Sequence, residues 1–323
     1  MMLGKRCLLA VPFLFFAASG IAQTWPAPGR ELKIIVGYPA GSGADTGVRY
    51  VSAKLAEVSG HPVIVENRAG MISSLGADAV AKAKPDGYTI LLASVTSSHA
   101  ANLVLFKKLP YDPVKDFTPV TTLYRTTFFL MVNAKSPHRT VAELTAAMRA
   151  AGNKASYGFG SPPALAAAEL YKHRAGLQAV GISYKTSAAT LPEMYSGALD
   201  FQFIDANFGT QQLRGGKLRA LAITSGQRSS ILDLPTMAEA ANIPEFDIAP
   251  WWGVFLPAGA PPQVVARLEG WFNQIGAMED TRKYWAGNGS EPLTGNSKIL
   301  AELLGQEIRK WAELAKIANI QPE

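Results

Sequence analysis

The chain has 323 residues, 48% of them hydrophobic and 17% charged, with a formal net charge of +6. Those values describe a globular chain long enough for two α/β domains and exclude a disordered or low-complexity protein. The positive excess is dispersed, with Lys107–Lys108 its densest pair beyond the N-terminus, so no stripe or face suited to nucleic acid is expected.

The N-terminus reads as an export signal. Lys5 and Arg6 precede the apolar run CLLAVPFLFFAAS, and Gly20 and Ala22 supply small residues at the two positions a signal peptidase reads. Cleavage is expected after Ala22. The apolar run is well short of the ~20 residues that span a bilayer. Cys7, the only cysteine, leaves with residues 1–22. The mature chain is then left without disulfides, thiol catalysis or thiolate metal sites. The mildly basic remainder suits small anionic ligands.

The body alternates strands and helices. LKIIVGY (32–38) is a predicted strand, and 45–58 a helix with Val48, Val51, Leu55 and Val58 on one face. PVIVEN (62–67) is a strand, 74–84 a helix closed by the turn PDG, YTILLAS (88–94) a strand, and a helix follows near 98–106. This βαβαβα order predicts a parallel sheet covered on both faces. Residues 107–120, with three prolines, read as a break.

A second series begins with the strand TTFFLMVNA. Thr140 and Glu143 form a capping box for the next helix. KASYGFG is a strand, and SPPALAAAELYKHRAG a helix with prolines in its first turn. AVGISYK is a strand, SAATLPEMYSG a helix that Pro192 would bend, ALDFQFID a strand, 206–214 a short helix and LRALAITS a strand. APWWGVFLPAGAPP contains a further strand. Two long helices, 261–277 and 297–316, end the chain, the second with Ser297 as its expected cap.

The stretch GYPAGSGAD (37–45) joins the first strand to the first helix. Gly41 and Gly43 have the first spacing of a dinucleotide fingerprint, but the next glycine is Gly47, one residue too far. No G-K-[ST] phosphate loop occurs either. What remains is a tight turn and a helix N-terminus whose N–H groups lack intrahelical partners, a place where a carboxylate fits as readily as a phosphate. Gly41 and Gly43 allow close backbone approach and Ser42 offers a hydroxyl. Asp45 is expected as the N-cap, or as a ligand contact through water. The other reading of this stretch is a plain turn with no ligand.

Three more strand-to-helix turns have the same character: SVTSSH (94–99), GFGSPP (158–163) and YKTSAA (184–189). Ligands in open α/β sheets lie beyond the carboxyl ends of strands. Two facing domains would therefore aim four helix N-termini into one cleft, each contributing ~0.3–1 kcal/mol toward an anion.

Enzymatic signatures are absent. His61, His99, His138 and His173 stand in separate segments with no metal spacing, and no G-x-S-x-G elbow occurs. His99, near the end of the third strand, could reach the cleft. Lys185 could serve as a base, a carboxylate partner or a surface lysine.

In chain order, WPAPGRELKIIVGYPAGSGAD, VIVENRAG, AKPDGYTILLAS, KLPYDPVKDFTPV, VAELTAAM, GKLRALAITSGQR, LPTMAEA and WWGVFLPAGAPP resemble the extracytoplasmic solute receptors of tripartite tricarboxylate transporters, the Bug family. The match spans essentially the whole mature chain. It implies a two-lobed α/β fold of the type II periplasmic binding protein kind, each lobe a mixed sheet flanked by helices, with strands crossing between lobes. The expected division is 1–22 as leader, 23–124 plus 251–323 as the first lobe and 125–250 as the second. The resemblance further implies a periplasmic, monomeric, non-catalytic protein without cofactor or metal. Its partners would be a small organic mono- or dicarboxylate and the transporter's membrane subunits.

Carried over by position, the ligand-binding residues are Tyr38, Ala40, Gly41, Ser42, Gly43, Asp45, Ser94, Thr96, Phe159, Gly160, Ser161, Tyr184, Lys185, Thr186 and Asp205. The chain departs from the family pattern in its ligand loops. Ser42 replaces a glycine, Met71 and Ile72 replace a glycine-rich run, Ala164 stands where a histidine is frequent, and Thr186 replaces a glycine. With Phe159 and Phe208 near loop ends, these changes point to a larger or aromatic acid. Two other readings remain: a secreted hydrolase or isomerase using a cleft serine or lysine, and a ligand sensor docking a membrane receptor.

Overall fold

The computed structural model describes residues 25–229, 233–317, 320 and 322; the leader expected at 1–22 lies outside them. The chain opens with β1 (Leu32–Val36), α1 (Gly43–Ser59), β2 (Val63–Asn67), α2 (Ser74–Ala81) and β3 (Thr89–Ser94). The β-branched run of β1 is buried on both faces. Leu32, Ile34 and Val36 pack with Val48, Val51 and Leu55 of α1. Ile35 points the other way, toward Ala77 and Val80 of α2. A side chain buried this completely contributes ~1.5–3 kcal/mol, and the alternation follows from the two-residue strand period.

The helix expected near 98–106 begins sooner. A π-helical segment, Val95–Ala101, starts directly after β3 and runs into α3 (Asn102–Leu105). β4 (Phe117–Thr126) occupies part of the region read as a break. Its Pro119 lies opposite Phe255, where the pairing with β10 slips register, the kind of irregularity that tolerates a proline in a sheet.

After Thr127 the chain enters β5 (Phe128–Asn133), followed by α4 (Val141–Ala151), β6 (Ser156–Phe159), α5 (Pro162–Ala175) and β7 (Val180–Ser183). A 3-10 turn, Ser187–Thr190, leads into α6 (Leu191–Ser196). Pro192 therefore sits in the first turn of α6, where its missing N–H costs nothing, and bends no helix. β8 (Phe201–Asp205), α7 (Ala206–Arg214), β9 (Leu218–Ile223) and α8 (Met237–Ala240) follow. Then come β10 (Trp251–Pro257), α9 (Pro262–Ala277), α10 (Glu279–Gly287), β11 (Ser290–Pro292) and α11 (Ser297–Ile317). α11 is capped by Asn296, whose Oδ1 accepts the Ile299 N–H at 2.9 Å, and not by Ser297. α8, α10 and β11 had no counterpart in the sequence reading.

Two mixed sheets result. One has the order β11-β4-β10-β3-β1-β2, the other β7-β6-β8-β5-β9. β1 is parallel to β2 and β3, while β10 runs antiparallel to β3 and β4. In the second sheet β6 is parallel to β7 and β8, and β5 antiparallel to β8 and β9.

The chain crosses between sheets at Thr127 and returns before Trp251, and the two crossings are bonded to each other. Thr127 Oγ1 accepts the Thr224 and Ser225 N–H groups at 3.1 and 3.0 Å. Thr224 Oγ1 accepts the Phe128 N–H at 2.9 Å and donates to the Ile248 carbonyl at 2.6 Å. α11 ties the halves together elsewhere. Its Leu300 and Leu304 pack with the first sheet, whereas Trp311 and Leu314 belong to the core that contains Phe128, Phe201 and Phe203 of the second.

Candidate ligand cleft

The β1–α1 turn is held by its own side chains. Ser42 is the N-cap of α1, accepting the Asp45 N–H at 3.2 Å and donating to the Pro39 carbonyl at 2.8 Å. Asp45, expected as cap or as a ligand contact through water, is not the cap and is not among the cavity-lining residues. It lies in the first helical turn, 3% exposed. Its Oδ2 accepts the Gly41 N–H at 2.8 Å and Arg49 Nε at 3.0 Å; its Oδ1 accepts Asn67 Nδ2 at 2.8 Å. Asn67 Nδ2 also donates to the Tyr38 carbonyl at 3.0 Å. Burial alone would push the Asp45 pKa up; the bonds from Arg49, Asn67 and Gly41 outweigh it and hold the carboxylate below its usual range. With the Gly41, Ser42 and Asp45 N–H groups engaged, Gly43 and Ala44 are left as the free donors of the helix N-terminus.

That N-terminus opens into a cavity of about 300 Å³ between the two sheets. Tyr38, Ala40, Gly41, Ser42, Gly43, Ser94, Gly160, Ser161, Lys185, Thr186 and Asp205, all expected from the sequence, line it. Tyr38 and Trp252 stand side by side in its wall, ring centroids 5.6 Å apart. Burial raises the Tyr38 phenol pKa, so the ring offers a neutral hydroxyl.

The second sheet contributes less donor capacity than expected. Gly160 presses against the 185–188 turn so closely that a Cβ would fall 2.2 Å from Thr186 C; no other residue fits there. Ser161 precedes α5, yet its side chain makes no capping bond, and its buried Oγ has no partner. Pro162 and Pro163 leave the first two helical positions without N–H groups. The Val95–Ala101 segment caps itself through Ser94 Oγ, which accepts the Ser97 N–H at 3.2 Å. Four equivalent helix N-termini therefore do not converge; free N–H donors in the cavity wall come from Gly43 and Ala44 of α1 and from Ser187 and Ala188 at the start of the Ser187–Thr190 turn.

Asp205 ends β8 and caps α7, accepting the Phe208 N–H at 3.0 Å. Burial raises its pKa, against the lowering effect of the neighbouring backbone N–H groups. It faces Gly43 across the cleft: a Cβ on Gly43 would lie 3.0 Å from Asp205 Oδ1 and 3.6 Å from Asn207 Cβ. Beside this approach, Ser290 Oγ donates to Asn207 Oδ1 at 3.2 Å and Arg214 Nη2 to the Gly287 carbonyl at 3.1 Å. The two halves are thus in contact around the cavity.

Besides Asp45, three expected residues stay out of the cavity. Thr96 is buried inside the π-helical segment and donates to Glu307 Oε2 at 2.9 Å. Phe159 packs against the core of the second sheet. Tyr184 turns away to donate to Glu193. Residues not anticipated include Phe128, Thr126, Pro250 and Trp252, which come from the crossing strands. The APWWGVF segment was the available signal for two of them.

Met71 and Ile72 also lie outside the cavity lining. They and Ser73 form a left-handed turn, with φ of 43°, 50° and 70°. Met71 and Ile72 are exposed, and Asn102 Nδ2 holds the Ile72 carbonyl at 3.1 Å.

No histidine lines the cavity. His99 is fully buried, its ring stacked on Phe255 at 4.3 Å and its Nδ1 2.8 Å from Ser98 Oγ. Burial drives its pKa down to about 3, so it is neutral, and it is not among the cavity-lining residues. Among the described residues, no cluster of three or more His, Cys, Asp or Glu could hold a metal ion.

Comparison with known proteins agrees with this geometry. The profile of the tripartite tricarboxylate transporter family receptors matches residues 48–320. BugT of Bordetella pertussis is 31% identical over 96% of this chain and 96% of its own length. Rpa4515 of R. palustris, solved with adipate, superposes with a TM-score of 0.86 at 29% identity, covering 93% of this chain and 100% of its own. The periplasmic binding protein BugD gives a TM-score of 0.83 at 27% identity, with 92% and 100% covered. The profile match and the identity to BugT place the chain in the family of tripartite tricarboxylate transporter receptors, the Bug/TctC-like solute-binding proteins, which are receptors and not enzymes.

Proposed function

We propose that this receptor captures a small organic acid in the periplasm, closes over it and delivers it to the membrane subunits of a tripartite tricarboxylate transporter. The observation that carries this reading is the α1 N-terminus. Its Gly43 and Ala44 N–H groups remain unengaged beside Ser42, at the wall of a cavity of about 300 Å³. Unpaired N–H groups at the positive end of a 17-residue helix favour a carboxylate, and Rpa4515 was solved with adipate. Lys185 is the one cation in the lining and adds long-range attraction for an anion.

The rest of the wall favours a large or aromatic acid, since Phe128, Phe208, Pro250 and Trp252 offer flat carbon surface. The lobes in this reading are 23–124 plus 251–323 and 125–250, in a monomer exported by the leader 1–22. Ligand binding shifts an equilibrium between open and closed forms.

Native mass spectrometry of the protein as isolated, followed by denaturation and analysis of what is released, tests the proposal. The expected result is an organic acid recovered unchanged. If no acid is released, and if no mono-, di- or aromatic carboxylate raises the melting temperature, the proposal fails.

A further inference from the structure

One end of α7 lines the cavity and the other grips the opposite half of the molecule. At its start, Asp205, Asn207 and Phe208 stand in the cavity wall. At its end, about 12 Å along the helix, the exposed Arg214 donates from Nη2 to the Gly287 carbonyl at 3.1 Å. α7 is seated tightly on the second sheet: a Cβ on Gly209 would fall 2.7 Å from the Phe129 ring of β5.

Gly287 ends α10, a helix fixed to the first half. The Tyr284 ring stacks on Tyr50 of α1 and the Trp285 ring on Tyr124 of β4, each with centroids 3.8 Å apart. Tyr124 stacks in turn on Trp252, which lines the cavity. A helix leaves its last four carbonyls without intrahelical partners. In α10 the Tyr284 carbonyl accepts Asn288 Nδ2, the Trp285 carbonyl the Asn288 N–H and the Ala286 carbonyl the Gly289 N–H. Three of the four are answered by the next residues of the chain; the fourth, that of Gly287, is answered by an arginine from the other half. A cation also suits the negative end of a helix. Beside this contact, the buried Ser290 donates from Oγ to Asn207 Oδ1 at 3.2 Å.

We infer that Arg214 and the Gly287 carbonyl form a latch outside the ligand cavity, so that Arg214 helps determine affinity without touching the ligand. This goes beyond the carboxylate-receptor reading and does not depend on which acid is bound. Only the closed form grips a ligand from both halves, and the apparent dissociation constant varies inversely with the closed fraction. The latch raises that fraction from the far end of the helix whose first residues form the cavity wall.

Single-molecule FRET on the mature chain tests this, with dyes on Lys84→Cys and Lys154→Cys, exposed positions in the two halves. It reads the closed-to-open ratio of the free protein. Arg214→Met keeps an unbranched side chain and removes its donors. The ratio is expected to fall about three- to tenfold, the size of one net hydrogen bond. Arg214→Lys, which still donates, is expected to recover most of the loss, whereas a packing role for the side-chain stem would be met by methionine as well. With adipate as the probe, the dissociation constant is expected to rise by the factor by which the closed fraction falls.

A ratio unchanged in Arg214→Met overturns the inference, and so does a loss that Arg214→Lys leaves in full. If adipate binds neither protein, the ratio in the free protein still decides the latch, and the failure counts against the receptor reading alone.

Discussion

Gly43 and Asp205 belong to opposite halves of the molecule, yet the carboxylate of one stands 3.0 Å from the place a Cβ on the other would occupy. This approach sets how far the two lobes can come together. Gly43→Ala adds a methyl group where the neighbours are Asp205, Asn207 and Phe208. Overpacking of this kind costs ~1–3 kcal/mol, and here the lobes can escape it by opening. Ligand affinity is expected to fall by about tenfold while the melting temperature of the free protein is little changed. Small-angle scattering on the variant should show a larger radius of gyration; an unchanged radius with unchanged affinity would falsify the closure limit.

Asp205 itself makes a stability prediction. Its folded pKa is raised, so the folded state favours the protonated form and bears a desolvation cost once the group ionises. Asp205→Asn is expected to raise the melting temperature of the free protein near pH 7. The gap should narrow as the pH falls through the folded pKa of Asp205, where the native residue takes up its proton. A gap that widens toward acid would contradict this assignment.

Asp45 behaves in the opposite sense. Its pKa is held down by Arg49, Asn67 and the Gly41 N–H against the upward push of burial. The stability it contributes is present above the unfolded aspartate pKa and is lost as pH falls through the lower folded value. Asp45→Asn should flatten the acid side of the melting curve and cost ~1–3 kcal/mol at neutral pH, because Gly41 N–H and Asn67 lose a charged acceptor. Urea unfolding at several pH values between neutral and strongly acid conditions is the measurement.

Lys185 lies in the cavity wall as its one cation. Removing it as Lys185→Gln should weaken binding of an acid by up to about fivefold, the range of an exposed charge pair. Added salt should shrink the difference between variant and parent protein, since screening acts on the charge and leaves the backbone donors of α1 in place. Equal salt dependence in the two proteins would remove Lys185 from the binding account.

The left-handed turn at Met71 and Ile72 bears a conformational cost that a glycine avoids. Each non-glycine residue in this region costs ~1–2 kcal/mol, offset in a glycine variant by ~0.5–1 kcal/mol of extra chain entropy. Ile72→Gly is expected to stabilise the protein by ~0.5–1 kcal/mol, read from the urea midpoint. A destabilised variant would show that the exposed isoleucine side chain makes contacts that matter more than its backbone.

The repeating strand–helix order was legible because β1, β3 and β5 are apolar runs bounded by turn residues, and such runs fold the same way in any α/β context. β4 was obscured by Pro119, which reads as a breaker locally and is tolerated only because β10 slips register opposite it. α10 and β11 were missed because a short, mostly polar helix has little periodicity to detect. In the cleft, residues on the strand-to-helix turns were found by their glycines and serines. Trp252, Phe128 and Thr126 were not, since they become cavity walls only when two distant crossings come together at Thr127 and Thr224. Asp45 misled for a related reason: an aspartate near a helix start suggests a cap, and only the positions of Asn67 and Arg49, the former from another strand, reveal it as a clamp.

A stiff rod of 21 residues, α11, has one stretch bedded in each half of the molecule. Two bodies that share such a rod can turn against each other only about a line lying near it, or the rod must tear free of one of them. The gape of the mouth is then bought by rotation alone, and a truncation that spares the ligand residues but removes Trp311 and Leu314 would let the halves wander in directions the intact protein never samples.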